Sequence, residues 1–229
     1  MAKQVAVIGL GRFGSSVARA LHQSGQDVLA IDNDESRVQD ISQHVTQAVQ
    51  ADATNESVLR ELGLENFEIA VVAMGTDIES SVLCTLLLRM LGVKYIIARA
   101  DHNLHGSILE RIGANRVVYP EHEMGTTVAH SVRLRNVQEY LPLTPEHGVS
   151  RFRSPQYVVG HTLSEIGFGP SKGEVAVLLI QRGDDVIVSP SRDEKVQVGD
   201  VLVLFGQDDV LEKLLEEARH QFQKEEQES

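Results

Sequence analysis

From Gln4 to about Pro120 the chain alternates between short β-branched runs and amphipathic segments, and this alternation restricts the fold more than any other feature. The runs QVAVIG, DVLAID, TQAVQA, IAVVAM, YIIARA and RVVYP read as strands. Between them, GSSVARALHQSG, DESRVQDISQHV, TNESVLRELG, IESSVLCTLLLRMLG and HGSILERIG place apolar residues three and four apart, as a helix with one buried face requires. Gly25, Gly63, Gly92 and Gly113 close four of these segments, in the manner of left-handed C-terminal caps. Strands alternating with helices in this way predict an α/β fold over residues 1–120, a Rossmann-like doubly wound parallel sheet.

Beyond Pro120 the pattern changes. EMGTTVAHSVRLRNV is helix-compatible and leads into EYLPLTPEHG, where Pro142, Pro145 and Gly148 signal a break, so residues 121–148 are expected to be a crossover helix and linker. Over 149–229 the strand-like runs VSRFRS, EVAVLLIQRG, DVIVSP and VLVLFG, a short helix at TLSEIG and a longer one at DDVLEKLLEEARHQF predict a smaller α+β C-terminal domain. A module of that size is near the lower limit for an independent core, which favours packing on a second copy. The terminal QKEEQES is charged and is expected to fray.

Acidic residues number 33 against 21 basic, a formal net charge of -12, and such a surface repels phosphate backbones, so nucleic acid is not an expected partner. Cys84 is the sole cysteine, which excludes a disulfide framework and suits a reducing cytoplasm. MAKQVAVIGLG lacks the apolar stretch of a signal peptide, and Arg89 and Gln181 interrupt the longest apolar runs well short of the roughly 20 residues a membrane helix needs. The expectation is a soluble chain whose acidic surface suits the Lys- and Arg-rich cytoplasmic loops of a membrane protein.

GLGRFG fits G-x-G-x-x-G at Gly9, Gly11 and Gly14, directly after one predicted strand and at the start of a helix. Gly9 permits the tight turn, Gly11 lets the backbone approach phosphates, and Gly14 allows close packing of helix on strand. With Arg12 and Phe13 they form the expected cradle, and the helix N-terminus offers N–H groups and partial positive charge to the ligand. Asp32, with Asn33 beside it, ends the second strand at the spacing of a ribose-binding acid, and its charge disfavours a 2′-phosphate. If Asp32 only capped the next helix, Asn33 or Asp34 would serve that purpose better. ADAT at the end of the third strand puts Asp52, Ala53 and Thr54 in the same cleft, although Thr54 would also suit a helix N-cap. Met74 and Gly75, in AMGTD after the fourth strand, should pass beside the ligand. Arg99 ends the fifth strand and needs a phosphate or a carboxylate as partner.

Little points to catalysis. His147, His161 and His220 lack an adjacent acid pattern marking a general base, GFGPSKGE has the wrong order for a phosphate loop and no helix pattern directly after it, and H-E-x-x-H and C-x-x-C are absent. His102 and His105 in DHNLH could pair on a metal, but exposed histidines in a strand-to-helix loop with an aspartate cap explain them better. Glu121, His122 and Glu123 in PEHEMG would suit a cation at an interface, or merely the acidic start of a helix. Cys84, among leucines, reads as core.

Taken together, VIGLGRFG, Asp32, ADAT, TLLLRMLG, ERIGANRVVYPE and the Met124-Gly125 pair resemble the KtrA/TrkA-type regulatory subunits of bacterial potassium uptake systems, with an RCK (regulator of potassium conductance) domain followed by a TrkA-C domain. The resemblance covers nearly the whole chain and is strongest over residues 4–125. It implies a non-enzymatic cytosolic ring, an octamer built from homodimers, lying on the inner face of the membrane under a KtrB/TrkH-like potassium channel subunit and gating it as ATP replaces ADP. It implies that Arg12 meets the γ-phosphate held by a neighbouring subunit, that Asp32 holds ribose, and that Glu121 lies at the dimer contact, where some relatives bind Mg2+, Ca2+ or Na+. Some relatives bind cyclic di-AMP through an arginine. Gly169 stands where it would align, with Lys172 nearby, which speaks against that ligand without closing the question. The rival reading of the same turn is an NAD(H)-dependent oxidoreductase, and a third is a nucleotide sensor acting on something other than potassium.

Overall fold

The computed structural model describes residues 3–133, 137–144, 146–169 and 175–228. The chain divides into two compact units, Met1–Glu123 and Met124–Ser229.

In the first unit β1 (Gln4–Ile8), β2 (Asp27–Asp32), β3 (Gln47–Gln50), β4 (Ile69–Val72), β5 (Tyr95–Arg99) and β6 (Arg116–Val118) form one wholly parallel sheet in the order β3-β2-β1-β4-β5-β6. The connecting helices are α1 (Arg12–Gln23), α2 (Glu35–Ile41), α3 (Glu56–Glu61), α4 (Ile78–Met90) and α5 (Asn103–Ile112), and α6 (Pro120–Arg133) follows β6. Successive strand residues face opposite sides, so a central strand covered by helices on both faces must be apolar throughout. β1 meets that demand: Val5 and Val7 pack with Val28, Ala30, Ile41 and Val71 on one side, and Ala6 and Ile8 with Leu29, Ile31, Leu59, Leu88 and Ile96 on the other. The four glycines expected to end helices all take positive φ, from 71° to 114°. Because β2 and β3 lie on one side of β1 and β4 on the other, the chain reverses its winding there and leaves a crevice beyond the carboxyl ends of β1 and β4.

The second unit is an antiparallel sheet in the order β10-β9-β11-β8-β7, built from β7 (Val137–Pro142), β8 (His147–Arg153), β9 (Val175–Arg182), β10 (Asp185–Val188) and β11 (Val201–Gln207). Its core joins Phe152, Phe168, Ile180, Leu202 and Leu204 to Leu211, Leu214, Leu215 and Ala218 of α8 (Asp208–Glu228), with α7 (Leu163–Ile166) held by a Thr162–Glu165 capping box. Asp200, fully buried, accepts hydrogen bonds from Arg182 Nε (3.0 Å), Arg182 Nη2 (2.9 Å) and the Gln197 N–H (2.9 Å), which ties the turn before β11 to β9.

Two expectations are corrected. The segment read as a linker contains β7, whose Val137 and Tyr140 are buried and which pairs with β8 through a register shift. A proline is tolerated there because β7 is an edge strand and Pro142 ends it, opposite Gly148. The tail read as frayed continues α8 through Glu228, consistent with a run of Gln, Lys and Glu, all good helix formers. Pro145, and Pro170 to Glu174 of the GFGPSKGE loop including Lys172, lie outside the described residues. Gly169 has φ +120° and faces the Arg192 side chain.

Cys84 is core as expected, and burial pushes its thiol from 9.0 up to about 12. An unfolded chain releases that proton first, so folding stability is intact below about pH 9 and falls between about 9 and 12, by about 1.4 kcal/mol per pH unit at this site. Urea unfolding across that window is expected to show a smaller alkaline loss in Cys84→Ala than in the wild type; equal losses would contradict it.

Candidate functional site

The crevice at the reversal holds a cavity of about 250 Å3 lined by residues that follow β1, β2, β3 and β4 and by Arg99 at the end of β5. Ten expected positions meet in its wall: Gly9, Gly11, Asp32, Asn33, Asp52, Ala53, Thr54, Met74, Gly75 and Arg99. Arg12, Phe13 and Gly14 are outside the lining. Arg12 is exposed at the first residue of α1, and Gly14 is buried beneath the turn.

Each glycine of the turn has a different reason to be there. Gly9 has φ +91°, and a Cβ on it would lie 2.7 Å from the Met74 side chain. A Cβ on Gly14 would lie 1.8 Å from the Gly9 carbonyl oxygen, so only glycine lets α1 lie this close to the end of β1. Gly11 differs from both: its φ of -63° and ψ of -174° suit any residue, and a Cβ there meets nothing within 4 Å. The protein's own packing gives Gly11 no reason to be glycine, and Gly11 borders the cavity.

The same residue is the N-cap of α1, which has no side-chain cap and no acidic residue in its first turn. By contrast α2, α3, α4, α5 and α7 are capped by the side chains of Asp34, Asn55, Asp77, His102 and Thr162. The first amides of α1 therefore have neither an intrahelical nor a side-chain acceptor, and they sit beside the cavity with the helix's positive end.

Asp32 is buried, and its carboxylate organises the turn. Oδ2 accepts from the Leu10 N–H, Oδ1 accepts from the Asp34 N–H at 2.9 Å, and Arg37 Nη1 lies 3.4 Å from Oδ2. A carboxylate has about four lone-pair sites, so acceptor capacity remains for ribose hydroxyls. Asp34, not Asp32, caps α2, accepting from the Ser36 N–H. Asp52 accepts from the Thr54 N–H (2.9 Å) and hydroxyl (2.6 Å), which hold its carboxyl below its usual range. The N-cap of α3 is therefore Asn55 rather than Thr54.

Arg99 pairs with Glu121 through Nη2 at 2.7 Å, which is the carboxylate of the two partners foreseen for it, and it also lines the cavity. Glu121 and Glu123 occupy the first turn of α6. Among the described residues no group of three or more His, Cys, Asp or Glu side chains is disposed to hold a metal ion. The histidine expectation is corrected: His102 caps α5, and His105 is fully buried, its Nδ1 accepting from the Asp101 N–H at 3.3 Å. Burial lowers the pKa of His105, with His102 adding to the effect and Asp101 opposing it.

Arg37 and Ser80 also line the cavity and were not foreseen. A faint signal existed for Arg37, which follows the Asp34 cap by three residues and so returns to the side of α2 facing the end of β2.

A parallel sheet of order 3-2-1-4-5-6 with a glycine-turn cleft at its switch point defines a Rossmann-type nucleotide-binding class of domain. The chain belongs to the TrkA family: residues 5–120 match the TrkA-N domain and residues 150–219 the TrkA-C domain. It is 40% identical over 206 residues to the Ktr system potassium uptake protein C of Bacillus subtilis (strain 168), covering 90% of this chain and 93% of that protein. It is 37% identical to the Ktr system potassium uptake protein A of the same organism, covering 89% and 91%. Among solved structures it resembles the GsuK channel bound to NAD, with 26% identity and a TM-score of 0.52 over 94% of this chain but only 38% of that one.

Gly14→Ala is expected to force α1 away from β1 and to lower the unfolding free energy of the first unit by about 3 kcal/mol, measured by urea denaturation. A loss under about 0.5 kcal/mol would contradict the close approach.

Proposed function

We propose that this chain is a non-enzymatic, nucleotide-responsive regulatory subunit of a potassium uptake system, and that it gates a membrane potassium channel subunit according to whether ATP or ADP fills the cleft. The observation that carries the ligand class is Gly11 at an uncapped helix N-terminus, a position left open to a close-lying phosphate. Names of the Ktr relatives supply the potassium system, and GsuK bound to NAD keeps NAD(H) among the ligands to be tested.

In this reading the α1 amides cradle phosphates, Asp32 holds ribose, and Asp52, Ala53, Thr54, Met74 and Gly75 border the rest of the nucleotide. Arg12 is exposed and outside its own cavity wall, which suits a guanidinium acting on the γ-phosphate held by a neighbouring subunit. A ligand bound equally well by two ring shapes shifts nothing, so a contact made across a boundary and only to the third phosphate is the kind a switch needs. A coupling of about 1–3 kcal/mol per site is typical, and copies arranged in a ring would compound it. Glu121 carboxylates from two copies would supply the interfacial cation site. Among the described residues no helix is long and apolar enough to cross a membrane, so contact with the bilayer would go through the channel subunit, whose basic loops fit a net charge of -12.

The test is to measure ATP, ADP and NADH affinities for wild type and Arg12→Ala while following assembly size by light scattering. Arg12→Ala is expected to lose the preference for ATP over ADP and to keep most ADP affinity. Equal losses for both nucleotides, or a persistent monomer that prefers NADH, would overturn the proposal. Asp32→Ala is expected to weaken all ribose nucleotides together, and an unchanged ATP affinity would remove Asp32 from the site.

A further inference from the structure

Arg99 is a cation set in the cleft wall and held by a partner that can leave. Its side chain is only 14% exposed, whereas that of Glu121, which binds its Nη2 at 2.7 Å, is 68% exposed. Backbone packing fixes the guanidinium: a Cβ on Gly75 would lie 2.6 Å from Nε, so Gly75 serves as a flat bed for the arginine. Arg99 Nε is buried and, among the described residues, has no hydrogen-bond partner, so Glu121 satisfies only part of a five-donor group.

The two partners therefore face unequal costs on separation. Glu121 would return to water with little loss, because most of its surface is already there. Arg99 cannot follow it and would need another anion in its place. A polyphosphate cradled at the N-terminus of α1 would bring such an anion to the same cavity, with more charge and more acceptor oxygens than one carboxylate.

We infer that Glu121 is a tethered stand-in for ligand phosphate: it competes with the terminal phosphates of a nucleotide for Arg99, and a longer phosphate chain frees the first turn of α6 from the end of β5. This rests on the nucleotide reading above and deepens it, by giving phosphate number a route to α6 within one chain. It also assigns Glu121 a cost: in wild-type protein the ligand must displace it.

Calorimetric titration in chelator-containing buffer, with ATP, ADP and adenosine as probes against wild type, E121Q, R99Q and the double variant, tests this. E121Q is expected to bind ATP about three- to tenfold tighter than wild type, ADP with a smaller gain and adenosine unchanged. In the R99Q background the E121Q gain should vanish, which separates competition for the guanidinium from direct repulsion between Glu121 and phosphate. Unchanged or weaker ATP binding by E121Q, an equal gain for adenosine, or the same gain without Arg99 would each overturn the inference. If R99Q does not fold, the ATP-against-adenosine contrast of E121Q alone decides. Should wild type bind none of the three probes, the nucleotide reading falls as well; if it binds ATP and the two substitutions act additively, only the competition falls.

Discussion

The contact between Gly14 and the Gly9 carbonyl sets the rest of the first unit. With no side chain at Gly14, α1 can start immediately over the end of β1, and the strand, turn and helix become one rigid piece. Two consequences follow from that distance. The positive end of α1 is aimed over the crevice between β1 and β4, and the Leu10 amide comes within reach of Asp32, which locks the turn to β2. A larger residue at Gly14 would move the helix end and, with it, the groups best placed to meet an anion.

Around this piece the protein treats one helix differently from its neighbours. Side chains cap α2, α3, α4 and α5 of the first unit, while α1 begins at a bare glycine with no acid in its first turn. Capping is worth about 1 kcal/mol to a helix, so leaving α1 without it weakens the fold slightly where a ligand would compensate. Charge in the cleft is similarly unfinished. Asp32 and Asp52 are held by internal hydrogen bonds, whereas the Arg99 Nε is buried and, among the described residues, without an acceptor. The surplus of donors at this end suits an anionic ligand, and the acids further along suit the hydroxyls and base of a nucleoside.

Much of this was legible in the sequence because a buried parallel strand must be apolar on both faces, and runs such as QVAVI and IAVV have few other uses. The glycine turn and Asp32 were legible for the same kind of reason, since fixed local spacing carries their geometry. Features that depend on tertiary packing were not. The Arg99–Glu121 pair joins residues 22 apart, and nothing in the sequence selected one partner over another. Burial of His105 depends on how α5 seats, so its polar sequence context suggested exposure. In the second unit Pro142 imitated a linker, because an edge strand tolerates residues that a central strand forbids. Asn55 displaced Thr54 as a cap because Asp52 had already taken the Thr54 amide and hydroxyl.

If a phosphate-bearing ligand rather than the needs of the fold shapes the cleft, Gly11 is the residue at which the two demands separate. Gly11→Ala should leave the urea unfolding free energy within about 1 kcal/mol of wild type, the N-cap preference for glycine over alanine being the main cost, since the backbone angles suit alanine and its Cβ meets no atom. In the same protein, ADP and ATP affinities measured by calorimetry should fall about tenfold or more. Undiminished nucleotide affinity, or a loss of stability comparable to that of Gly14→Ala, would mean that Gly11 serves the fold and not a phosphate.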